Sequence, residues 1–402
     1  MGILLLLGIG FAVSKHRSDI NWRTIGIAFS LQFLIGAFAL YLPIGRRVME
    51  SVSGGVSGVL SYAQEGINFL FGNLGSAANE GIGFVFAFQV LPIIIFFSSL
   101  VSVLYYIGIM GRVIRLVGGA LQWLLGTSRA ESMSATANIF VSQTEAPMVI
   151  KPFVGKMSNS ELFAVMVGGM ATVAGSVLAG YVALGVEMKY LLAASFMAAP
   201  GGFLMAKLLL PETQKIENNE DAVEQETDQY ANVIDAAAGG ASAGLQLAVN
   251  IGAMLIAFVA LIAMLNGLLG WLGAYLGVPE LSMQLILGEL FRPVAFMLGV
   301  PWQESAVAGS MIGQKLVLNE FVAFLSFSEQ QAAMSAHTQA VVTFALCGFA
   351  NFSSIAILLG GLATIAPHRR PDVARMGLRA VSAAFMANLM SAAIAGFFLS
   401  LA

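Results

Sequence analysis

Residues 131–153, ESMSATANIFVSQTEAPMVIKPF, and residues 299–324, GVPWQESAVAGSMIGQKLVLNEFVAF, decide the architecture. Both are moderately apolar, yet both carry Glu, Gln, Asn, Ser and Lys internally. Neither would span a bilayer comfortably, and both stand directly ahead of stretches that would. A half-length helical hairpin that enters and leaves on one side, with a polar tip, accommodates these facts. Irregular backbone at membrane depth is tolerated only inside protein or beside water. The two segments also share an order of features. Each has a Gly (Gly126, just ahead of the first segment; Gly299), then a Glu-Ser pair (Glu131 and Ser132; Glu304 and Ser305), then small residues, and each reaches an acid, Glu145 or Glu320. Matched quartets follow further on, Gly169 to Thr172 (GMAT) and Gly348 to Asn351 (GFAN), and an apolar helix closes each unit.

Outward from these segments the chain is mostly apolar. Of its 402 residues 58% are hydrophobic and 10% charged, whereas soluble domains carry about a quarter charged residues. Spanning a hydrocarbon core takes about 20 apolar residues. Stretches of that kind lie at 25–44, 81–111, 162–186, 190–206, 236–279, 338–366 and 380–402. Residues 2–14 are shorter, read as a shortened first helix, and lack the basic flank and cleavage site of a secretory signal. The fold class is thus an all-α polytopic membrane protein, with about eight transmembrane helices plus two re-entrant helical hairpins. Placing most Lys and Arg in the cytoplasm leaves Arg46, Arg47, Lys189, Arg292 and Lys315 outside. The first hairpin then opens inward and the second outward, an inverted repeat of the kind many secondary transporters use. The acidic segment 212–228, without apolar periodicity, reads as a mobile loop.

Composition excludes several functions. The 19 Lys+Arg against 22 Asp+Glu give a net charge of −3, so no nucleic-acid partner is expected. One cysteine, Cys347, allows no intrachain disulfide or Cys-cluster zinc site, and His16, His337 and His368 are scattered. Residues 240–244 (GASAG) match the G-x-S-x-G nucleophile elbow, but their flanks read as helix and no His is near in sequence. Gly240 and Gly244 read better as a small-xxx-small helix contact. No catalytic residue and no cofactor is assigned.

Ionisable groups within the membrane mark function by default. Glu145 sits in QTEAP beside Pro147, and Glu320 follows Asn319 in an apolar setting. The plain reading pairs them with Lys151 and Lys315. The sharper one gives Gln143 and Thr144 the donors and acceptors for the edge of a neutral heterocycle. Glu320 then accepts from adjacent hydroxyls, as on a ribose. Asn351 and Ser354, three apart, suit the same sugar or an interhelical hydrogen-bond pair. Around Thr172, Gly168, Gly169 and Gly175 make unwinding cheap. Carbonyls freed there, with Asn138, Val141, Val173 and the Thr172 hydroxyl, suit a small hard cation such as Na⁺. Close helix packing explains those glycines equally well.

At these residues the chain resembles the bacterial concentrative nucleoside transporters. The matching stretches are GTSRAESMSATANIFVSQTEAP (126–147), AAGGASAGLQLA (237–248), NEFVAF (319–324) and ALCGFANFSSIAILLGG (345–361), and the likeness runs from Ile25 onward. The resemblance implies a Na⁺-driven symporter in the cytoplasmic (inner) membrane, a homotrimer with a uridine-like nucleoside as substrate. It implies that Gln143, Thr144, Glu145 and Val177 line the nucleobase. Glu320, Asn351 and Ser354 would hold the ribose with Phe349 nearby, and Asn138, Val141, Thr172 and Val173 the sodium ion. It further implies scaffold parts at 1–111 and 236–298, with transport repeats at 112–235 and 299–402. Thr172 and Ser142 stand where Ser and Gly are usual in the family. Three rivals have distinct signatures: a proton-coupled nucleoside symporter titrating Glu145 or Glu320, a channel, and an intramembrane protease using Ser242.

Overall fold

The computed structural model describes residues 1–75, 84–214 and 230–401. The start of the 81–111 stretch, Lys215 and the acidic segment from residue 215 onward lie outside the described residues. Among those described, every regular element is helical.

The N-terminal part holds α1 (Gly2–Ala12), α2 (Trp22–Gly36), α3 (Pro43–Phe71), α4 (Phe86–Gln89), α5 (Leu91–Tyr106) and α6 (Ile109–Leu125). In α6 the buried residues Met110, Ile114, Gly118, Leu121 and Leu125 fall on one face, with Arg112 and Arg115 off it. That periodicity is that of a surface-lying amphipathic helix. The first repeat follows as α7 (Arg129–Ala137), a 3-10 turn (Ala146–Ile150), α8 (Lys151–Val154), α9 (Asn159–Ala171), α10 (Gly175–Ala183) and α11 (Met188–Leu209). Next come α12 (Val233–Leu276) and α13 (Met283–Met297). The second repeat is α14 (Ser305–Val317), α15 (Glu320–Gln330), α16 (Ala336–Leu346), α17 (Ser353–Ile365) and α18 (Arg370–Leu399).

Six helical runs among the described residues are long and apolar enough to cross a membrane, and two shorter apolar helices, Gly2–Ala12 and Ser353–Leu362, accompany them. The 338–366 stretch, read as one span, is two helices parted at Cys347–Phe352, as 162–186 is parted at Thr172–Ala174. Helix α12 has 44 residues, about 66 Å at 1.5 Å per residue. Its buried stripe of Ala236, Gly240, Gly244, Ala248 and Ile251 packs on α5. A Cβ on Gly240 would meet Ser102, and one on Gly244 would meet Ile95 and Ser98. The GASAG match is therefore a helix contact with Ser242 exposed on its far side.

The repeats mirror each other in packing. Helices α9 and α16, the first halves of the two broken helices, each pack against both closing helices, α11 and α18. One end of the molecule gathers the basic clusters assigned to the cytoplasm. There Arg369 donates to Met157 and Asn159, His368 meets the Gly155 carbonyl, and Lys15 N–H donates to Leu209. Lys315 departs from its expected place outside: it is fully buried.

Candidate functional site

The first hairpin starts at a capping box in which Ser128 and Glu131 satisfy each other's backbone N–H groups, the arrangement that pins a helix start. The Glu131 carboxylate is buried 2.8 Å from Lys207 on α11, a charge pair that closes the base of the hairpin. Helix α7 then ends at Asn138, and the chain turns through an irregular tip before returning as a 3-10 turn and α8. The returning arm is less regular than a helix because Pro147 and Pro152 interrupt it. The second hairpin is regular in both arms. It turns at Leu318 and Asn319, and the Asn319 side chain caps α15 by accepting from Val322 N–H at 2.9 Å. Its return arm runs to Gln330, beyond the 299–324 segment.

Both tips meet the breaks in the long helices. Gly175 N–H, at the start of α10, donates to Phe140 at the first tip at 3.1 Å. A Cβ on Gly175 would lie 3.0 Å from that same oxygen, so the close approach depends on glycine. Phe352 N–H, at the start of α17, donates to Leu316 at the second tip at 3.2 Å. The breaks also bond to each other, Phe349 N–H donating to the Thr172 carbonyl at 3.2 Å.

A buried polar group fills the junction. Gln143 Nε2 donates to Ser354 Oγ at 3.2 Å. Asn351 Nδ2 donates to one Glu320 oxygen at 3.2 Å, and Tyr181 Oη donates to the other at 3.2 Å. Asn351 Oδ1 accepts from Ser354 N–H at 2.9 Å, fixing the pair that the sequence places three apart. Gln143, Glu320, Asn351 and Ser354 are all at most 5% exposed, and Val177 is 2% exposed. Phe349 is half-buried beside them. Thr144 is half-buried and packs toward Gly361 of α17, where an added Cβ would come within 3.3 Å of it.

Glu145 is placed differently. It is exposed, and one carboxylate oxygen accepts from Ser142 N–H at 3.0 Å, closing the tip on itself. The two hairpin acids thus differ in setting. Neither Lys315 nor the plain ion-pair reading accounts for Glu320: Lys315 Nζ donates to the Ala345 carbonyl at 2.7 Å and to Asn388 Oδ1 at 2.6 Å.

The residues matched to a cation lie at the C-terminal ends of α7 and α9. Asn138 caps α7 and Thr172 caps α9. Asn138 is fully buried, and among the described residues neither end of its amide has a hydrogen-bond partner. Such orphaned groups cost about 1–3 kcal/mol. The Thr172 hydroxyl donates to Gly168 at 2.9 Å and Gly169 at 3.3 Å, which leaves its lone pairs free. Val141 and Val173 are buried beside them. Two helix C-termini, the unpartnered Asn138 amide oxygen and the Thr172 hydroxyl oxygen gather here, a donor set whose oxygens fit a small monovalent cation.

The sequence reading missed Tyr181. It is fully buried between Phe321 and Phe324, with ring centroids 4.9 and 4.2 Å away. Its signal was present: it lies four residues after Val177, on the same helix face.

Two hairpins meeting two broken helices around a buried, mutually bonded polar cluster, in a multi-pass helical membrane protein, are the build of a secondary transporter. The chain belongs to the concentrative, Na⁺-dependent nucleoside transporter family. The family's models match along its length: "Na+ dependent nucleoside transporter N-terminus" over residues 1–74, "Nucleoside recognition" over 87–188 and "Na+ dependent nucleoside transporter C-terminus" over 190–396. The likeness therefore begins ahead of Ile25. The chain is 51% identical to nucleoside permease NupC of Helicobacter pylori over 409 residues, covering 100% of this chain and 97% of that protein. It is 40% identical to mouse (Mus musculus) sodium/nucleoside cotransporter 1 over 411 residues, covering 98% of this chain and 62% of the longer mouse protein. Among solved structures, CNTnw in an inward-facing, substrate-bound state superposes with a TM-score of 0.96 at 53% identity, covering 100% of this chain and 97% of that one. The family is one of transporters, and CNTnw is known in both inward-facing and outward-facing states.

Proposed function

We propose that this protein is a sodium-driven symporter that imports nucleosides across the cytoplasmic (inner) membrane. The observation that carries this reading is the joining of both hairpin tips to both helix breaks at one buried polar cluster. In this reading Gln143, Thr144, Glu145 and Val177 face the nucleobase. Glu320, Asn351 and Ser354 hold the ribose hydroxyls, with Phe349 nearby. Asn138, Val141, Thr172 and Val173 take the sodium ion. The cluster residues bond to one another, so nucleoside binding would exchange partners and strand few polar groups. That keeps the desolvation cost of a polar, neutral substrate small.

A neutral nucleoside gains nothing from the membrane potential. One Na⁺ gains about 2.3 kcal/mol per 100 mV, and a tenfold gradient adds about 1.4 kcal/mol. Together, roughly 3.7 kcal/mol supports about 500-fold accumulation. Coupling arises because the cation and nucleobase residues share the tip of the first hairpin, Val141 lying two positions before Gln143. Fixing that tip for one ligand lowers the ordering cost for the other.

In the proposed division, the repeats at 112–235 and 299–402 move against scaffold parts at 1–111 and 236–298. The scaffold reading is supported by α12, whose exposed face carries Leu245, Val249, Ile256, Met264, Leu268 and Trp271. That face suits lipid and a homotrimer contact. Uptake of labelled uridine into proteoliposomes, with Na⁺ and pH gradients imposed separately, tests the proposal. Accumulation should follow an inward Na⁺ gradient at constant pH; accumulation that follows only the pH gradient would reject sodium coupling.

A further inference from the structure

The two repeats treat their helix ends differently. In the first, α7 and α9 converge with their C-terminal turns, and neither last turn holds a basic residue. Asn138 sits there with an unpartnered amide. In the second, α14 and α16 take the equivalent places, and the last turn of α14 holds Lys315. Its ammonium reaches the Ala345 carbonyl in the last turn of α16 at 2.7 Å and Asn388 Oδ1 at 2.6 Å. It also lies 5.8 Å from the centre of the Phe385 ring. Short bonds to two carbonyl-type oxygens and an aromatic face are the surroundings of a held cation.

Asn388, on α18, extends this contact across the repeat boundary. Its amide nitrogen donates to Ala171, the last residue of α9, at 2.7 Å and to Cys347, which caps α16, at 3.1 Å. One side chain thus joins the ends of both half-helices, while its oxygen faces Lys315.

We propose that the Lys315 ammonium is a built-in cation, filling in the second repeat the position that the first repeat leaves open to an exchangeable one. The transporter then carries one cation with each nucleoside. The helix C-termini of both repeats are compensated in the loaded state, one by a mobile charge and one by a tethered charge. This inference rests on the sodium reading above.

The test compares Lys315→Met, which keeps the stem and removes the charge, with Lys315→Ala, which also opens space. Uridine binding to purified protein is measured by calorimetry as Na⁺ is raised. In the wild type the affinity should rise with a Na⁺ slope of about one. Lys315→Met should bind at least about tenfold more weakly at every Na⁺ concentration, because its thioether excludes an ion while two oxygens lose their donor. Lys315→Ala should regain affinity at high Na⁺ with a slope approaching about two. A slope that stays at one in Lys315→Ala overturns the proposal. Should neither variant fold, the reversal potential of uridine flux in wild-type proteoliposomes decides: one charge per nucleoside supports it and two overturn it. Wild-type binding that ignores Na⁺ rejects the sodium reading and this inference with it, whereas Na⁺-dependent binding with two charges rejects this inference alone.

Discussion

Gln143 and Ser354, 211 positions apart, are joined by a 3.2 Å hydrogen bond from amide to hydroxyl. The bond ties the tip of the first hairpin to the second broken helix. It makes the candidate site a property of both repeats, because neither alone supplies the cluster. Glu320 adds the second hairpin through Asn351, and Tyr181 adds α10.

Replacing Glu320 with Gln removes the charge that accepts from Asn351 and Tyr181 and, in the proposed function, from the ribose. Hydrogen bonds to charged groups contribute about 1.5–3 kcal/mol, so uridine affinity should fall by about 10- to 100-fold. Affinity for 2′-deoxyuridine should fall less, narrowing the gap between the two. Displacement of labelled uridine from purified protein measures both. Unchanged uridine uptake would count against the ribose assignment.

Tyr181→Phe should be milder. The ring contacts with Phe321 and Phe324 persist, while one neutral donor, worth about 1 kcal/mol, is lost from Glu320. A fall in uridine affinity of about five-fold is expected, with the melting temperature nearly unchanged. A loss as large as that of Glu320→Gln would place Tyr181 against the nucleoside itself.

Thr172 separates the hydroxyl from the methyl group. Thr172→Ser keeps the oxygen that bonds Gly168 and Gly169, and its half-saturating Na⁺ should stay within about threefold of the wild type. Thr172→Ala removes the oxygen, and half-saturating Na⁺ should rise by about tenfold or more. Asn138→Leu should do the same while relieving a buried unpartnered amide, so its thermal stability should hold or rise without Na⁺. Na⁺-dependent uridine binding and thermal unfolding, measured together, read these effects.

Gly348 leaves room for Asn388: an added Cβ would lie 2.3 Å from Asn388 Oδ1 and 2.7 Å from the Ala171 carbonyl. Gly348→Ala should force the three-way junction apart. Overpacking of this kind costs about 1–3 kcal/mol, visible as a lower melting temperature and weaker nucleoside binding. A variant that melts and binds like the wild type would show that the junction yields freely.

Much of this was legible in the sequence because membrane depth makes polar residues expensive. Glu145, Glu320, Gln143 and Asn351 announced themselves by sitting in apolar surroundings, and the hairpins followed from segments too polar to span. What stayed hidden was set by tertiary partners. Glu145 is exposed, its carboxylate closing only the local turn at Ser142, and the tertiary packing that leaves it outside the buried cluster has no signature in the sequence. Lys315 read as an outside charge from the distribution of Lys and Arg, with Glu320 as its plain partner; its actual partner, Asn388, lies 73 positions away. The matched quartets misled slightly. Gly169 to Thr172 closes the last turn of α9, whereas Gly348 to Asn351 lies wholly within the second break. Thr172 and Cys347 are the residues that correspond as C-caps of the two half-helices. Tyr181 was overlooked because aromatic residues in a buried helix ordinarily fill core, and only its hydroxyl, bonded to Glu320, distinguishes it.

The most direct measurement is the dissociation constant of uridine for the purified protein across a Na⁺ titration, with choline keeping ionic strength fixed. If the first hairpin tip holds ion and nucleobase together, affinity should strengthen about tenfold for each tenfold rise in Na⁺ below saturation, and Asn138→Leu should displace that dependence to about tenfold or more higher Na⁺. An affinity that is the same with and without Na⁺ would contradict the account.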